Sequence, residues 1–441
     1  MKKTKLKPQF YDVLIIGGGA SGFFTAINLA KFSPKLKIAI LERGKKVLEK
    51  VRISGGGRCN VTHAQFIPQE LTLNYPRGRK ELLGPFHAFM TGDTIAWFEE
   101  RGISLKIEED GRMFPTSDSS QTIIDCFLKE SEQLGIRVIK ECAVKEFAPA
   151  CRPGRLAKAS LQDSGPPGEH NAIEKQAPSP DYTVTSSKGT FSCTHLVVTT
   201  GSNPKMWKQL EYVGHRITPA VPSLFTFNIK DMRIDGLMGL AVEASVKVLG
   251  QPLEGEGPLL ITHWGMSGPG ILKLSAWGAR ILNALKYNFQ ISVNWLFHIS
   301  QEEALEELQK LKNKYAKQSP HSHAQFELPK RLWRKLLLAA QIDENTNWGD
   351  LSKIKLEALS RQLTQGIFQV NGKSTFKEEF VTAGGVDLKE VNFKTFESKL
   401  LPNVYLAGEV LNIDAITGGF NFQNAWTGGY HIARAINKKK S

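Results

Sequence analysis

The stretch of residues 11–42 constrains the fold of this chain more than any other. An apolar run at 13–16 breaks into a glycine-rich turn at 17–22, a helix-compatible segment follows, and a second apolar run stops at Glu42. Strand, glycine turn, helix, strand and acid in this order are typical of the βαβ unit that binds the adenosine end of a dinucleotide. We therefore predict an α/β fold that begins with a Rossmann-like, dinucleotide-binding unit. A glycine turn in some other α/β protein is the weaker alternative.

Each glycine of this turn has a predicted task. Gly17 permits a tight turn, Gly19 lets the backbone approach a pyrophosphate, and Gly22 lets helix and strand pack closely. The amides at the helix N-terminus then face the phosphate charge. Glu42 lies twenty positions after Gly22, where a carboxylate can accept hydrogen bonds from ribose hydroxyls.

The location of the positive charge bears on nucleic-acid binding. The chain has 441 residues and a formal net charge of +14, but seven of its lysines lie at 2–7 and 438–440, where no acidic residue accompanies them. This location favours solvated tails over a nucleic-acid groove. The basic ends nevertheless keep an RNA-modifying enzyme as an alternative interpretation.

The cysteines and the N-terminal segment bear on the compartment. Polar residues and glycines interrupt the apolar stretch that follows the first lysines, which argues against a membrane anchor. The five cysteines are odd in number and form no CxxC pair; they are Cys59, Cys126, Cys142, Cys151 and Cys193. We expect free thiols in a soluble, cytoplasmic protein that does not act at a membrane.

Periodicity divides the chain into a discontinuous domain and an insert. Residues 1–214 are predicted to form the first part of the dinucleotide-binding domain, and 371–441 its second part. Between them, 215–370 are predicted to form an inserted domain, with a small β-barrel or sandwich at about 217–300 and charged helices at about 301–366. Within the first part, helical spacing occurs near 88–102 and 119–134.

Other parts of the first and last segments have patterns of their own. Alternation from 138 to 147 and from 182 onward predicts a small β-meander. The polar, Pro- and Gly-rich residues 150–180 between them indicate an exposed excursion. Near the C-terminus, 403–407 is a predicted strand and 422–436 a predicted helix.

The end of the 403–407 strand decides between cofactors. Gly408-Glu409 follows it directly, and such a pair far downstream of an N-terminal GxGxxG suits FAD better than NAD. Gly408 can admit the cofactor, and Glu409 can accept hydrogen bonds from the ribityl chain. The helix after 417–421 would direct its N-terminal amides at the pyrimidine edge of the flavin, which gains negative charge on reduction.

The chain resembles a known family at these motifs. Residues 53–62 (ISGGGRCNVT), 407–409 (AGE) and 417–423 (TGGFNFQ) are similar to those of the bacterial aminoacetone-oxidase-type or BaiN-like FAD-binding flavoproteins, a family of NAD(P)/FAD-dependent oxidoreductases. The likeness extends to 262–270 (THWGMSGPG) and 382–386 (TAGGV). It implies a two-part FAD domain with an inserted module made of a β-barrel and a helical portion.

The resemblance also implies a set of cofactor contacts. FAD would be bound by Gly17, Gly19, Ala20, Ser21, Gly22, Glu42, Arg43, Arg58, Asn60, Gly201, Gly408, Glu409, Gly418, Gly419, Phe420, Asn421, Phe422 and Gln423. The sequence has no second strand-GxGxxG-helix unit between 43 and 400. If NAD(P)H is the reductant, we expect it to dock directly on the flavin.

Few side chains outside these motifs suggest chemistry. His263 is a weak candidate for a catalytic acid, with a structural histidine as the equal alternative. Cys59 is either reactive or, as we favour, a buried small residue beside the cofactor. His321 and His323 are predicted to be solvated surface residues, and no metal site is expected.

Three functions remain open from the sequence. The leading hypothesis is an FAD-dependent oxidoreductase that acts on a small organic substrate at the junction of the FAD and inserted domains. The alternatives are an RNA-modifying flavoprotein and a non-catalytic flavin-binding sensor. The lack of a paired redox dithiol excludes the disulfide-reductase type of flavoenzyme.

Overall fold

The computed structural model describes residues 8–150, 181–374 and 381–440. The described strands are β1 (Gln9–Ile16), β2 (Ile38–Leu41), β3 (Thr62–His63), β4 (Leu105–Ile107), β5 (Arg112–Pro115), β6 (Arg137–Ile139), β7 (Val144–Pro149), β8 (Tyr182–Ser186), β9 (Gly189–Val198), β10 (Ile217–Ser223), β11 (Thr226–Asn228), β12 (Ala241–Val248), β13 (Leu253–Ile261), β14 (Gly265–Ser267), β15 (Asn288–Asn294), β16 (Gly366–Asn371), β17 (Lys373–Ser374), β18 (Val381–Val386), β19 (Val391–Asn392), β20 (Glu397–Ser398) and β21 (Val404–Leu406). The described α-helices are α1 (Ala20–Phe32), α2 (Glu49–Gly57), α3 (Pro68–Thr72), α4 (Arg79–Phe86), α5 (Thr91–Glu99), α6 (Ser120–Gln133), α7 (Pro204–Tyr212), α8 (Pro269–Trp277), α9 (Ala279–Ala284), α10 (Gln301–Lys314), α11 (Lys330–Ala339), α12 (Lys353–Thr364) and α13 (Phe420–Lys440).

These elements form two units, called here the first and the second unit. The first unit holds the described residues of Met1–Pro219, Gly384–Ile413 and Gly418–Ser441. The second unit holds those of Ala220–Ala383 and Asp414–Thr417. Strands β10 and β18 contain positions at which the chain passes from one unit to the other, and they pair with each other.

A parallel sheet forms the centre of the first unit. Strands β21, β9, β1, β2 and β6 lie side by side in this order and run parallel. Val13, Leu14 and Ile15 of β1 are fully buried, as expected for a strand in the middle of such a sheet. The predicted Rossmann-like α/β fold class is confirmed. The predicted meander is also present, because β7, β8 and β9 pair antiparallel; its excursion at 150–180 lies outside the described residues.

Two helices of the first unit pack closely beside the sheet. A Cβ atom on Gly429 of α13 would lie 3.1 Å from the backbone nitrogen of Thr25 in α1. An aromatic cluster lies beside them, in which the Phe24 ring centroid is 4.7 Å from Trp97 and 5.3 Å from Trp426. The periodic segments near 88–102 and 119–134 form α5 and α6 as predicted.

An antiparallel sheet and a group of helices form the second unit. Its seven described strands follow the order β16-β15-β12-β13-β14-β11-β17. The two strands at the ends of this order, β16 and β17, are consecutive in the chain and are joined through Gly372. Helices α10, α11 and α12 lie in the predicted 301–366 region, and their core includes the fully buried Trp295, Trp333 and Trp348.

The structure differs from the predicted organisation at three places. Helices α8 and α9 lie within the region predicted as β-prone. The sequence did not indicate α8 because most of its side chains are apolar or buried and show no amphipathic period. The second unit continues to Ala383 rather than 370, since β16 and β17 complete its sheet. It also includes Asp414–Thr417, where Asp414 accepts a hydrogen bond from Ser223 at 2.8 Å.

Across 8–150, 181–374 and 381–440, no helix combines the length and the apolar character that crossing a membrane requires.

Candidate cofactor site

The first glycine turn, residues 17–22, joins β1 to α1 and is shaped by close backbone contacts. A Cβ atom on Gly17 would lie 2.4 Å from the carbonyl oxygen of Thr199, and Gly17 has a φ of 113°. A Cβ atom on Gly22 would lie only 2.2 Å from the Gly17 carbonyl oxygen. The fold itself therefore requires glycine at both positions, in the turn and packing tasks that the sequence suggests.

Gly19 is different, because nothing in the fold requires it. Its φ of −98° and ψ of −170° suit any residue, and a Cβ atom there would meet no atom within 4 Å. Next to it, α1 begins at Ala20 with no side-chain cap and no acid in its first turn. The Ser21 hydroxyl is buried without a hydrogen-bond partner among the described residues. Helix amides, an unpaired buried hydroxyl and an approachable backbone suit a pyrophosphate.

Glu42 lies at the end of β2 and holds this turn in place. One carboxylate oxygen accepts from the Gly18 amide at 2.9 Å, and the other accepts from the Gly44 amide at 2.7 Å. A carboxylate has further lone pairs, so it can also accept from ribose hydroxyls. Arg43 beside it is exposed.

The predicted motifs around 201 and 408 meet the first glycine turn at one edge of the sheet. Strands β9 and β21 are parallel neighbours of β1, so their carboxyl ends lie together. A Cβ atom on Gly408 would lie 3.6 Å from the Ser21 Cβ atom, and one on Gly201 would lie 3.9 Å from a Glu409 carboxylate oxygen. Lys50 forms an ion pair with Glu409. This edge is where open α/β sheets bind their ligands.

The second glycine turn, residues 54–60, overlaps the end of α2, where Ser54, Gly55 and Gly56 have non-helical backbone angles. Gly55, Gly56 and Gly57 have φ values of 58°, 67° and 86°, and Cβ atoms on Gly56 and Gly57 would meet nothing within 4 Å. Cys59 has a φ of 64° and is fully buried. Burial raises the pKa of its thiol to about 12, so it is a protonated, buried side chain, as we favoured from the sequence.

Protein acids hold the Arg58 side chain in this turn. Its guanidinium pairs with Glu108 and, at 3.5 Å, with Asp118, and it lies 3.9 Å above the Phe114 ring. The bond to Glu108 raises the pKa of Arg58, and the neighbouring Lys106 ammonium lowers the pKa of Asp118. The guanidinium that the resemblance assigns to FAD thus fixes the shape of the loop in this structure.

The start of α13 is tied to the second glycine turn. The Asn60 amide, oriented so that both its groups are satisfied, donates to the Thr62 carbonyl at 2.9 Å and accepts from the Gly419 amide at 3.0 Å. Gly418 and Gly419 have φ values of 131° and 93°, which favour glycine. A Cβ atom on Gly419 would lie 2.5 Å from the Thr62 carbonyl oxygen. Asn60 is thus buried as a loop anchor.

The aromatic residues at the start of α13 are packed by protein rings. The Phe420 ring lies 4.5 Å from the His63 ring, and the Phe422 ring stacks on Trp426 at 5.6 Å. Asn421 lies half-buried between these two residues in the sequence. The backbone amides of this turn are therefore its most suitable groups for a flavin edge.

Gln423 was predicted to contact FAD, and its side chain cannot do so in this structure. It is fully buried, accepts from the hydroxyls of Thr62 at 2.7 Å and Thr94 at 3.0 Å, and donates to Thr427 at 3.1 Å. The amide ties α13 to β3 and α5. The sequence pattern could not separate this structural role from cofactor binding because both favour a polar residue near a helix start.

The histidines singled out from the sequence have different surroundings. His263 is exposed in the turn between β13 and β14 of the second unit. His323 is exposed as predicted, but the prediction for His321 was wrong: it is buried, and its Nε2 atom lies 2.9 Å from the Ile342 carbonyl oxygen. The local sequence did not indicate this burial because the hydrogen-bond partner of His321, the Ile342 carbonyl, lies on another loop.

The structure brings together one serine, histidine and acid that the sequence does not suggest. His215 Nδ1 lies 2.9 Å from a Glu390 carboxylate oxygen, and its Nε2 lies 3.0 Å from the Ser398 hydroxyl. The Ser398 oxygen also accepts from the amides of Leu400 at 3.1 Å and Leu401 at 2.9 Å. Both its lone pairs are thus used, and the residues form a buried brace rather than a nucleophilic site.

Comparison with known proteins identifies the family. Residues 11–165 match the HI0933-like protein Rossmann domain, and 221–381 match the HI0933-like protein barrel and H2TH domain. The chain belongs to the HI0933-like family. It is accordingly an FAD-dependent oxidoreductase, as the sequence predicted.

Three curated relatives span almost the whole chain. Ribosomal RNA dihydrouridine synthases of Haemophilus influenzae and Escherichia coli are 26% and 27% identical over 98% of this chain, and 100% and 99% of their own lengths are covered. The 3-dehydro-bile acid delta(4,6)-reductase of Clostridium scindens is 27% identical over 96% of this chain and 98% of its own length.

Two residues of the site escaped the sequence reasoning. His63 lies against Phe420, and its Nδ1 atom is 3.1 Å from the Gly418 carbonyl oxygen. The sequence could have indicated His63 as a site residue, because it directly follows the 53–62 motif. Lys50 is paired with Glu409, and only the tertiary structure shows this pairing, since the two residues are far apart in sequence.

Proposed function

We propose that this chain is an FAD-dependent reductase that saturates a carbon–carbon double bond conjugated to a carbonyl group in a small organic substrate. The geometry of Gly19 and Ser21 carries the cofactor part of the proposal, because the fold gives no other reason for that glycine or for the unpaired hydroxyl. Bound FAD would supply hydride transfer to the substrate.

The reaction class rests on what the names of the relatives have in common. A dihydrouridine differs from uridine by two hydrogens across the ring double bond next to a carbonyl. A delta(4,6)-reductase of a 3-dehydro bile acid reduces double bonds conjugated to the 3-oxo group. Reduction of a double bond conjugated to a carbonyl group adds hydride to the carbon of that bond farther from the carbonyl and a proton to the other carbon. One chemistry would therefore serve both kinds of substrate.

The described side chains then have defined tasks in the cofactor site. Ser21 and the α1 amides bind the pyrophosphate, Glu42 binds the adenosine ribose, and Glu409 binds the ribityl chain. The amides at Gly418 and Gly419 would bind the pyrimidine edge of the flavin, and the positive end of α13 would favour the reduced, more negative form. NAD(P)H is the proposed reductant, docking directly on the flavin, in a cytoplasmic protein whose described cysteines are all free and buried.

A half-reaction screen tests this function. The purified protein should release about one FAD per chain on denaturation, and NADH or NADPH should bleach the bound flavin without oxygen. Cyclohexenone, a steroid 4-en-3-one and a 4,6-dien-3-one are then mixed with the reduced protein, with the saturated ketones as matched controls. We expect an unsaturated ketone to restore the flavin colour and to gain two hydrogens by mass spectrometry. If oxygen reoxidises the reduced flavin and none of the unsaturated ketones does, the proposed reductase activity is wrong.

A uridine of ribosomal RNA is the second candidate substrate. Two relatives that cover 98% of this chain carry that activity in their names, and the net charge is +14. The reduced protein would be incubated with unmodified ribosomal RNA, and dihydrouridine measured by nucleoside mass spectrometry. Salt-dependent binding that persists without residues 1–9 and 437–441 would support an RNA site; binding that vanishes with these tails would be nonspecific. No turnover in either assay would favour a flavin-binding sensor.

A further inference from the structure

Lys50 lies at the start of α2, two residues after a contact with the first glycine turn. Leu48, two residues earlier, donates its backbone amide to the Gly18 carbonyl at 2.8 Å. This bond fixes the start of α2 next to the turn. The ammonium group of Lys50 forms an ion pair with the Glu409 carboxylate.

Glu409 and Ser21 define the place that this ammonium group approaches. Gly408, the residue before Glu409, lies against Ser21, since a Cβ atom on Gly408 would be 3.6 Å from the Ser21 Cβ atom. Ser21 belongs to the first turn of α1, and we assign the amides of this turn and the unpaired Ser21 hydroxyl to the pyrophosphate. Lys50 is therefore a cation at the border of that position.

The charges explain why this cation matters. The pyrophosphate of FAD carries two negative charges, and α1 offers only partial charges and neutral donors to it. Glu409 adds a further negative charge close by. The Lys50 side chain is half-exposed and Glu409 is mostly buried, with 52% and 16% of their side chains accessible, so the lysine is free to change partner while the acid stays in place.

We propose that Lys50 is a pyrophosphate-binding residue whose ammonium group moves from Glu409 to the cofactor phosphate when FAD binds. The Glu409 carboxylate is then released to accept from a ribityl hydroxyl. One exchange of partners thus supplies both a cation for the phosphate and an acceptor for the ribityl chain. This inference rests on the proposed binding of FAD.

Titration of the apoprotein with FAD and with ADP tests the exchange. ADP carries the pyrophosphate and adenosine but no ribityl chain. Lys50→Met should weaken both ligands by about tenfold and flatten the dependence of Kd on salt, and Lys50→Arg should restore most of the affinity. The matched control is Lys35→Met, which removes the same charge from an exposed loop before β2 and should leave both affinities unchanged.

The outcomes separate this inference from the proposed function. If the unaltered protein binds no FAD, the proposed function fails. If it binds FAD but Lys50→Met changes neither affinity, the inference alone is wrong. Loss of FAD affinity with normal ADP affinity would also overturn it, because Lys50 would then act only through Glu409 and the ribityl chain. Thermal melting of each apoprotein verifies that the variants fold.

Discussion

The two glycine turns of the first unit look alike in sequence but use glycine for different reasons. At 17–22, Cβ atoms on Gly17 and Gly22 would collide with backbone oxygens at 2.4 and 2.2 Å. At 54–60, Cβ atoms on Gly56 and Gly57 would meet nothing within 4 Å, and only their positive φ values favour glycine. Packing is thus the main constraint on Gly17 and Gly22, whereas backbone conformation alone constrains Gly56 and Gly57.

This difference shows how glycine can indicate a ligand. Gly19 has neither constraint, since its backbone is extended and its surroundings are open. Because Gly19 also lies at the uncapped start of α1, beside the unpaired Ser21 hydroxyl, a ligand that approaches the backbone there best explains it. Substitutions of glycine by alanine therefore separate packing, ligand approach and conformation, because each adds one methyl group to a different environment.

Gly22→Ala should have the largest effect. Its methyl group would meet the Gly17 carbonyl at 2.2 Å and the Thr199 hydroxyl at 2.9 Å, and a backbone oxygen cannot move away cheaply. We expect a loss of at least about 3 kcal/mol in the free energy of unfolding, together with loss of FAD binding, measured by urea unfolding and flavin fluorescence. The control, Gly84→Ala in α4, has open space and should be neutral or slightly stabilising. If the Gly22→Ala and Gly84→Ala variants were equally stable, packing would not be the reason for glycine at position 22.

Gly19→Ala should affect the ligand and spare the fold. The melting temperature of the apoprotein should fall only slightly, because a methyl group there meets no protein atom within 4 Å and alanine is only a poorer N-cap for α1 than glycine. The Kd for FAD should rise by about tenfold or more, since the backbone can no longer approach the pyrophosphate. Titration of the apoprotein with FAD gives this value. An unchanged Kd would mean that the phosphates lie elsewhere.

Much of the first unit could be predicted because its signals are local. The run at 13–16, the turn at 17–22 and Glu42 lie within one βαβ unit, and each residue type has a physical task there. The second unit was harder. Helix α8 is buried on several sides and so lacks a period, and the inclusion of Asp414–Thr417 depends on tertiary contacts such as the bond to Ser223.

In the candidate site, too, the sequence predicts the role of some residues and not of others. Gly17 and Gly22 have geometries that suit the predicted turn and packing tasks. Glu42 accepts from the Gly18 and Gly44 amides, and its binding of ribose stays a prediction. The geometry of Gln423 does not suit its predicted task, because its side chain is fully buried and its amide bonds to three threonine hydroxyls. Long-range polar contacts decide whether such a side chain faces a ligand or the protein, and the sequence does not contain their distances.

Gly56→Ala should have a moderate effect, smaller than that of Gly22→Ala. The methyl group meets no atom, but a φ of 67° is left-handed, which costs an alanine about 1–2 kcal/mol. Gly56→Asn should lose less, because asparagine tolerates this conformation. Urea unfolding gives the free energy of unfolding of the unaltered, Gly56→Ala and Gly56→Asn apoproteins. If asparagine destabilises as much as alanine, the turn is limited by space and the proposed distinction fails.

The smallest expected effect concerns Cys59, which adopts a left-handed conformation in the second turn without being glycine. Because burial raises the pKa of its thiol to about 12, only about one molecule in ten thousand carries a thiolate at pH 8. Iodoacetamide at that pH should leave Cys59 unmodified in the folded protein and modify it in urea, as peptide mapping by mass spectrometry can show. Cys59→Ala should also leave the rate of flavin reduction unchanged, although it loses some packing. Rapid modification of the native protein, or a rate that falls with the alanine variant, would show that this turn places a reactive thiol beside the cofactor.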